Sequence, residues 1–167
     1  MITVTIQDSK LRESAGKGMD EFMQTFVDGI NEAIGGQLTA ETMAQLESDQ
    51  ITLLAYSMLR EEVMDGGFIQ LIYNGLGRFI FTNPFDKALA EWGIIDLSRL
   101  IKKAHKLYNK YHSRIEIECS DEEFMALFEQ MPEFDDLDDE FVANEERWTG
   151  EVACYVDEHI ERFATIV

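Results

Sequence analysis

Apolar side chains return every third or fourth residue along most of this chain, an interval that an α-helix converts into one continuous face. Met19, Phe22, Met23, Phe26, Val27, Ile30 and Ile34 form the first such run, and Gly35-Gly36 ends it. Thr39 is a candidate cap for the next segment, 39–65, carried by Met43, Leu46, Ile51, Leu54, Leu59 and Val63, with a break near Ser48-Asp49. A helix is predicted over 67–76, and Asn83-Pro84 reads as a helix start that runs to Gly93, with Asn as cap and Pro at the first helical position. From Asp96 onward, Leu97, Leu100, Ile101, Ala104, Leu107, Tyr108 and Tyr111 make one stripe, and Arg99, Lys102, Lys103, Lys106 and Lys110 make another. Those cations are expected to lie against acids of the last third of the chain, within one molecule or across a dimer.

Ser120 and Glu123 have the spacing of a capping box. They lead Phe124, Leu127, Phe128 and Met131 into a short helix that Pro132 closes. Asp135 or Asp136 is expected to open a turn through Phe141, followed by a last helix with Trp148, Val152, Tyr155, Val156, Ile160 and Phe163. Residues 2–6 and 114–119 alternate apolar and polar positions, and they can pair as a minor two-stranded β ribbon. The sum is an all-α chain of about seven helices, read as a single helical domain over residues 1–167.

Several function classes lose their support. No apolar run approaches the ~18 residues needed to span a bilayer. The amino-terminal residues have no basic and apolar leader pattern. Cys119 and Cys154 stand alone, which fits free thiols in a reducing compartment, and the expected location is the cytoplasm. His105 and His112 share a helix with five cations, and Cys154, Glu158 and His159 fall short of a zinc set. The run Asp135–Glu140 lacks the glycine and the distal glutamate of a calcium loop. No cofactor, metal or catalytic residue is assigned, and the chain is expected not to be an enzyme.

The glycine-rich stretch EEVMDGGFIQLIYNGLG, residues 61–77, invites a phosphate-loop reading. It lacks the Lys-Ser or Lys-Thr of a Walker loop and the third glycine of a dinucleotide fingerprint. Gly66-Gly67 therefore reads as a helix end and sharp turn, with Gly75 and Gly77 ending the following helix. Gln70 and Asn74, four apart, are expected to satisfy backbone groups at that turn.

Charge is the strongest physical signal. The chain carries a net charge of −19, and residues 115–167 hold 18 acidic and 2 basic residues. Those acids alternate with core types such as Phe124, Leu127, Phe128, Phe141 and Trp148, so they project from an ordered scaffold. A surface of this kind repels nucleic acid and anionic membranes and attracts basic partners.

Two stretches resemble one known family. EEVMDGGFIQLIYNGLG is similar to a signature in which a turn residue precedes Gly-Gly-Phe, followed by Gln, Asn and Gly at fixed offsets. FDDLDDEF, residues 134–141, is similar to a later Leu-Asp-x-x-aromatic element. Together they resemble a bacterial domain-of-unknown-function family that includes a DNA-mimic protein, over about residues 50 to 145. Gly66, Gly67, Phe68, Gln70, Asn74 and Gly77 carry the likeness; Asp65 stands where Asn is more usual. The resemblance implies an all-helical, often dimeric fold without known enzymatic activity. For the DNA-mimic member it implies acids that occupy a regulator's DNA-binding surface.

The expectation is thus an acidic protein-interaction module, a DNA mimic towards a basic DNA-binding protein, with no direct binding of nucleic acid or membrane. The candidate face comprises Asp121, Glu122, Asp135, Asp136, Asp138, Asp139, Glu140, Glu145 and Glu146. Two alternatives stand beside it. One is a structural or interaction domain whose acids serve solubility. The other is an unrecognised metal-binding protein or hydrolase with a deep pocket around Gln70, Tyr73 and Asn74.

Overall fold

The computed structural model describes all residues from Met1 to Val167, and it confirms an all-α chain. The helices are α1 (Asp8–Lys17), α2 (Met19–Ala33), α3 (Ala40–Met43), α4 (Ser48–Tyr73), α5 (Gly77–Thr82), α6 (Phe85–Glu91), α7 (Ile95–Ile115), α8 (Asp121–Gln130) and α9 (Glu133–Glu158). Two strands, β1 (Thr5–Ile6) and β2 (Thr165–Ile166), pair in parallel with Thr5 opposite Thr165. The chain divides into two compact units, residues 1–54 with 146–167, and residues 55–145.

In the first unit the apolar stripe of α2 buries Met23, Phe26, Val27 and Ile30, as its spacing predicts. Trp148, Val152 and Val156 supply the buried face of the last part of α9. Phe26 meets Phe163 edge-on at 6.3 Å between ring centroids. Gln50 is 5% exposed yet satisfied at both ends, with its amide donating to the Phe163 carbonyl and its oxygen accepting from the Glu47 N–H. A buried amide tolerates burial only on those terms.

In the second unit α7 buries Leu97, Leu100, Ile101, Ala104, Tyr108, Tyr111 and Ile115 along one side. That stripe explains why 114–119 is not a strand. Ile115 follows Tyr111 by four residues and is fully buried as the last residue of α7, whereas Ile117, its supposed β neighbour, is 63% exposed. The helical period wins because it buries the side chain, and β1 finds its partner at the carboxy terminus instead.

The capping box at Ser120 forms, and the cap at Thr39 is a second one. The Thr39 and Ser120 hydroxyls accept from the N–H groups of Thr42 and Glu123, and each partner side chain reaches back. The helix start at Asn83-Pro84 is one residue late, with Pro84 at the cap position of α6. Asn83 turns backwards and donates its side-chain amide to the Phe79 carbonyl, closing α5. Gly77 opens α5 rather than ending the previous helix. The expected turn through Phe141 is absent, and α9 is continuous from Glu133 to Glu158. Phe134, Leu137, Phe141 and Trp148 keep one buried seam through it, and Glu133, Asp135 and Asp136 suit its first turn, where acids favour the helix dipole.

Candidate partner-binding face

The glycine-rich stretch is a bend in α4. Gly66 lies at φ −148°, ψ 15° and Gly67 at φ 77°, ψ −176°, a region open in practice only to glycine. The bend strands the backbone N–H of Phe68 at the start of the helical turns that follow. Asp138 of α9 supplies the acceptor, with its Oδ1 2.8 Å from that N–H. A Cβ on Gly67 would stand 2.4 Å from Asp138 Oδ2, so glycine is needed for space as well as for backbone angle. The two motifs, Gly-Gly-Phe and Leu-Asp-x-x-Phe, are therefore halves of one device, with Leu137 and Phe141 anchoring Asp138 against it.

The remaining signature residues complete this bend. A Cβ on Gly66 would meet Gln70 Oε1 at 1.9 Å, so the Gln70 side chain folds over the glycine. Gln70 Nε2 donates to Asp65 Oδ2 at 2.8 Å and to Glu62 Oε2 at 3.1 Å, and Asn74 Nδ2 donates to Glu62 Oε2 at 2.9 Å. Contrary to expectation, the two amides bind carboxylates and not the backbone, because Asp138 already satisfies the exposed N–H. Gly77 makes room for the Tyr108 ring, which a Cβ would approach to 2.4 Å.

The nine acids named from the sequence part into two groups. Asp138 and Glu145 turn inward. Asp138 caps Phe68, and burial pushes its carboxyl up to about 6, with Asp135 and Asp139 adding to the rise and the Phe68 N–H opposing it. Glu145 pairs with the Arg60 guanidinium at 2.6 Å, with both side chains a quarter exposed or less. Asp121, Glu122, Asp135, Asp136, Asp139 and Glu146 are exposed, Glu140 is half-buried, and none of these seven holds an ion pair. On α9, Asp135, Asp139 and Glu146 share a stripe with the exposed Val142, and Asp136 and Glu140 flank it.

A sequence signal for the inward pair existed. Asp138 and Glu145 each lie four residues after a buried Phe, Phe134 and Phe141, and three before the next buried aromatic, Phe141 and Trp148. At those offsets a helix places a side chain on its buried seam.

Within one chain, the expected pairing of the α7 cations with acids of the last third is met at one position. Only Lys110 meets an acid of the last third, Glu133, at 3.4 Å. The Tyr111 hydroxyl also donates to Glu133 and is the main reason that carboxyl sits below its usual range. Arg99, Lys102, Lys103 and Lys106 are exposed and form no ion pair. Cys119 and Cys154 are free thiols. No group of three His, Cys, Asp or Glu residues has the arrangement of a metal site, and no helix is long and apolar enough to cross a membrane. Near the bend lies an open groove of about 400 Å³ that includes Gln70, while the Tyr73 ring packs tilted against Phe124 with centroids 4.7 Å apart.

Fold and signature define a helical, acidic protein that carries both motifs of the family it resembles, and comparison with known proteins agrees. The family model described as DMP19-like protein matches residues 44–159, which include both motifs. The chain is 33% identical over 127 residues to "DNA mimic protein DMP19" of Neisseria meningitidis serogroup B (strain ATCC BAA-335 / MC58), covering 75% of this chain and 77% of that protein. The chain belongs to the DMP19-like protein family.

Proposed function

We propose that this chain is an acidic protein-interaction module that mimics DNA and occupies the DNA-binding surface of a basic DNA-binding protein. The observation that carries the proposal is the relative named as a DNA mimic, 33% identical across three quarters of this chain. The charge distribution supports it independently, since residues 115–167 hold 18 acids against 2 cations. Successive turns of a helix set acids about 5.4 Å apart, the scale on which phosphates follow one another along a DNA strand. A groove of Lys and Arg that fits phosphates then meets a rigid substitute, with no chain ordering to offset on binding.

In this reading the working acids are Asp121, Glu122, Asp135, Asp136, Asp139, Glu140 and Glu146. Asp138 and Glu145 support the scaffold beneath them. The protein acts in the cytoplasm by binding alone, without cofactor or catalysis, as a single domain that is competent to form homodimers.

The test is capture at low salt of a purified DNA-binding protein, with duplex DNA as competitor. Mimicry predicts that DNA displaces the chain and that Asp135→Lys, Asp136→Lys and Asp139→Lys together abolish capture. Binding that ignores both the competitor and the charge reversal belongs to the solubility reading.

A further inference from the structure

The groove beside the α4 bend combines two kinds of wall. Phe124, Met125 and Phe128 of α8 and Val63 of α4 form an apolar side, and the half-buried Asp138 and the exposed Asp65 make the other side acidic. Its volume of about 400 Å³ falls at the small end of ligand-sized cavities, about 300–1,000 Å³. Phe124 and Phe128 stand edge to face at 5.4 Å. Met125 is 64% exposed, a large unbranched side chain held in water at the rim.

The acidic side is electrostatically unfinished. Asp138 accepts one hydrogen bond, from the Phe68 N–H, through one of its two oxygens. The charged groups that act on it, Asp135 and Asp139, are both acidic, and α8 contributes no charged side chain to the groove. A half-buried carboxylate without a cation is costly, and pairing relieves the cost. Asp65 lends a second carboxylate at the mouth, where Gln70 already steadies it.

We infer that this groove receives one arginine side chain of the DNA-binding partner, its stem along Phe124, Phe128 and Met125 and its guanidinium against Asp138 and Asp65. Arginine fits better than lysine because a planar guanidinium stacks on aromatic faces and is weakly hydrated, so it enters an apolar groove at lower desolvation cost. The inference rests on the DNA-mimic reading for the identity of the partner, and not for the chemistry of the groove. The lifted ionisation of Asp138 agrees, since a cation is what the site lacks. Among many acids that bind by charge alone, such a groove would supply the buried anchor on which most of an interface's energy depends.

The experiment is a backbone-amide and methyl NMR titration of the whole chain with acetyl-arginine-amide, using acetyl-citrulline-amide as the uncharged isostere. Saturable shifts confined to Gly66, Gly67, Phe68, Met125 and Phe128, with a dissociation constant on the order of 1 mM, are expected for arginine alone. Asp138→Asn should weaken binding by about tenfold or more. Met125→Lys, at an exposed rim position, should abolish binding by filling the groove with its own ammonium. Equal shifts from citrulline, shifts spread over the exposed acids of α9, no saturable shift at all, or undiminished binding in Met125→Lys would each overturn the inference. DNA-competed capture that survives Met125→Lys unchanged leaves mimicry standing and removes the anchor. Arginine binding in the groove without any capture does the reverse.

Discussion

Replacing Asp138 by Asn isolates the ionisation at the bend, because asparagine keeps an oxygen for the Phe68 N–H and removes the charge. In the wild type the folded carboxyl titrates at about 6 against an ordinary value of 3.8. The folded state therefore binds this proton more tightly than the unfolded chain does. The group's stabilising contribution is complete below the ordinary value and is lost as pH rises through about 6. Linkage over the interval from pH 5 to pH 8 gives about 1.4 kcal/mol. Asp138 is only half-buried, so solvent screening lowers the working figure to about 1 kcal/mol. Urea denaturation at the two pH values, both above the acidic isoelectric point, reads it out. With a slope of about 2 kcal/mol/M, the midpoint of Asp138→Asn should gain about 0.5 M on the wild type between pH 5 and pH 8. Differencing the two proteins cancels the titrating groups that do not feel the Asp138 charge, and leaves Asp138 with its neighbours Asp135 and Asp139. Parallel profiles, within about 0.1 M at all pH values, would refute the poorly solvated, raised carboxyl of Asp138.

Gly67→Ala should lower stability by about 2–4 kcal/mol, since its backbone angles alone cost about 1–3 kcal/mol and the new methyl displaces the Asp138 carboxylate; thermal or urea unfolding followed by circular dichroism measures it. Gly77→Ala should cost about 1–3 kcal/mol through overpacking against Tyr108, and a Tyr108→Ala background should remove most of that increment. Asp135→Lys, Asp136→Lys and Asp139→Lys together should lower stability by about 1–2 kcal/mol without unfolding the chain, because the exposed side chains hold no ion pair but the first two place cations in the opening turn of α9, against the helix dipole. The same variant should slow association with a basic DNA-binding protein by about tenfold or more at low salt. A thiol reagent should modify the exposed Cys154 in the native protein well before the half-buried Cys119, as peptide mapping at early times would show.

Much of this fold is legible in the sequence, and the exceptions have physical causes. The stripes of α2 and α7 and the caps at Thr39 and Ser120 are local, so residues three and four apart suffice to find them. The pairing of β1 with β2 joins residues 160 apart in strands of two residues, too short to carry a period. The run Asp135–Glu140 suggested a turn because aspartate is a poor helix former, and the buried seam of Phe134, Leu137 and Phe141 overrode that local preference. Misplacing that one turn hid the orientation of the acids, and with it the distinction between Asp138 and its exposed neighbours.

The bend of α4 also bears on how such a protein changes over time. Gly67, Phe68 and Asp138 hold one another, and the side chains of Gln70 and Asn74 are taken up within the same turn. The exposed acids of α8 and α9 form none of these bonds. A lineage could exchange them one at a time, trading one client for another, while the bend stayed as it is. The signature then identifies a chassis, and the client has to be sought in the outward residues that the signature leaves unspecified.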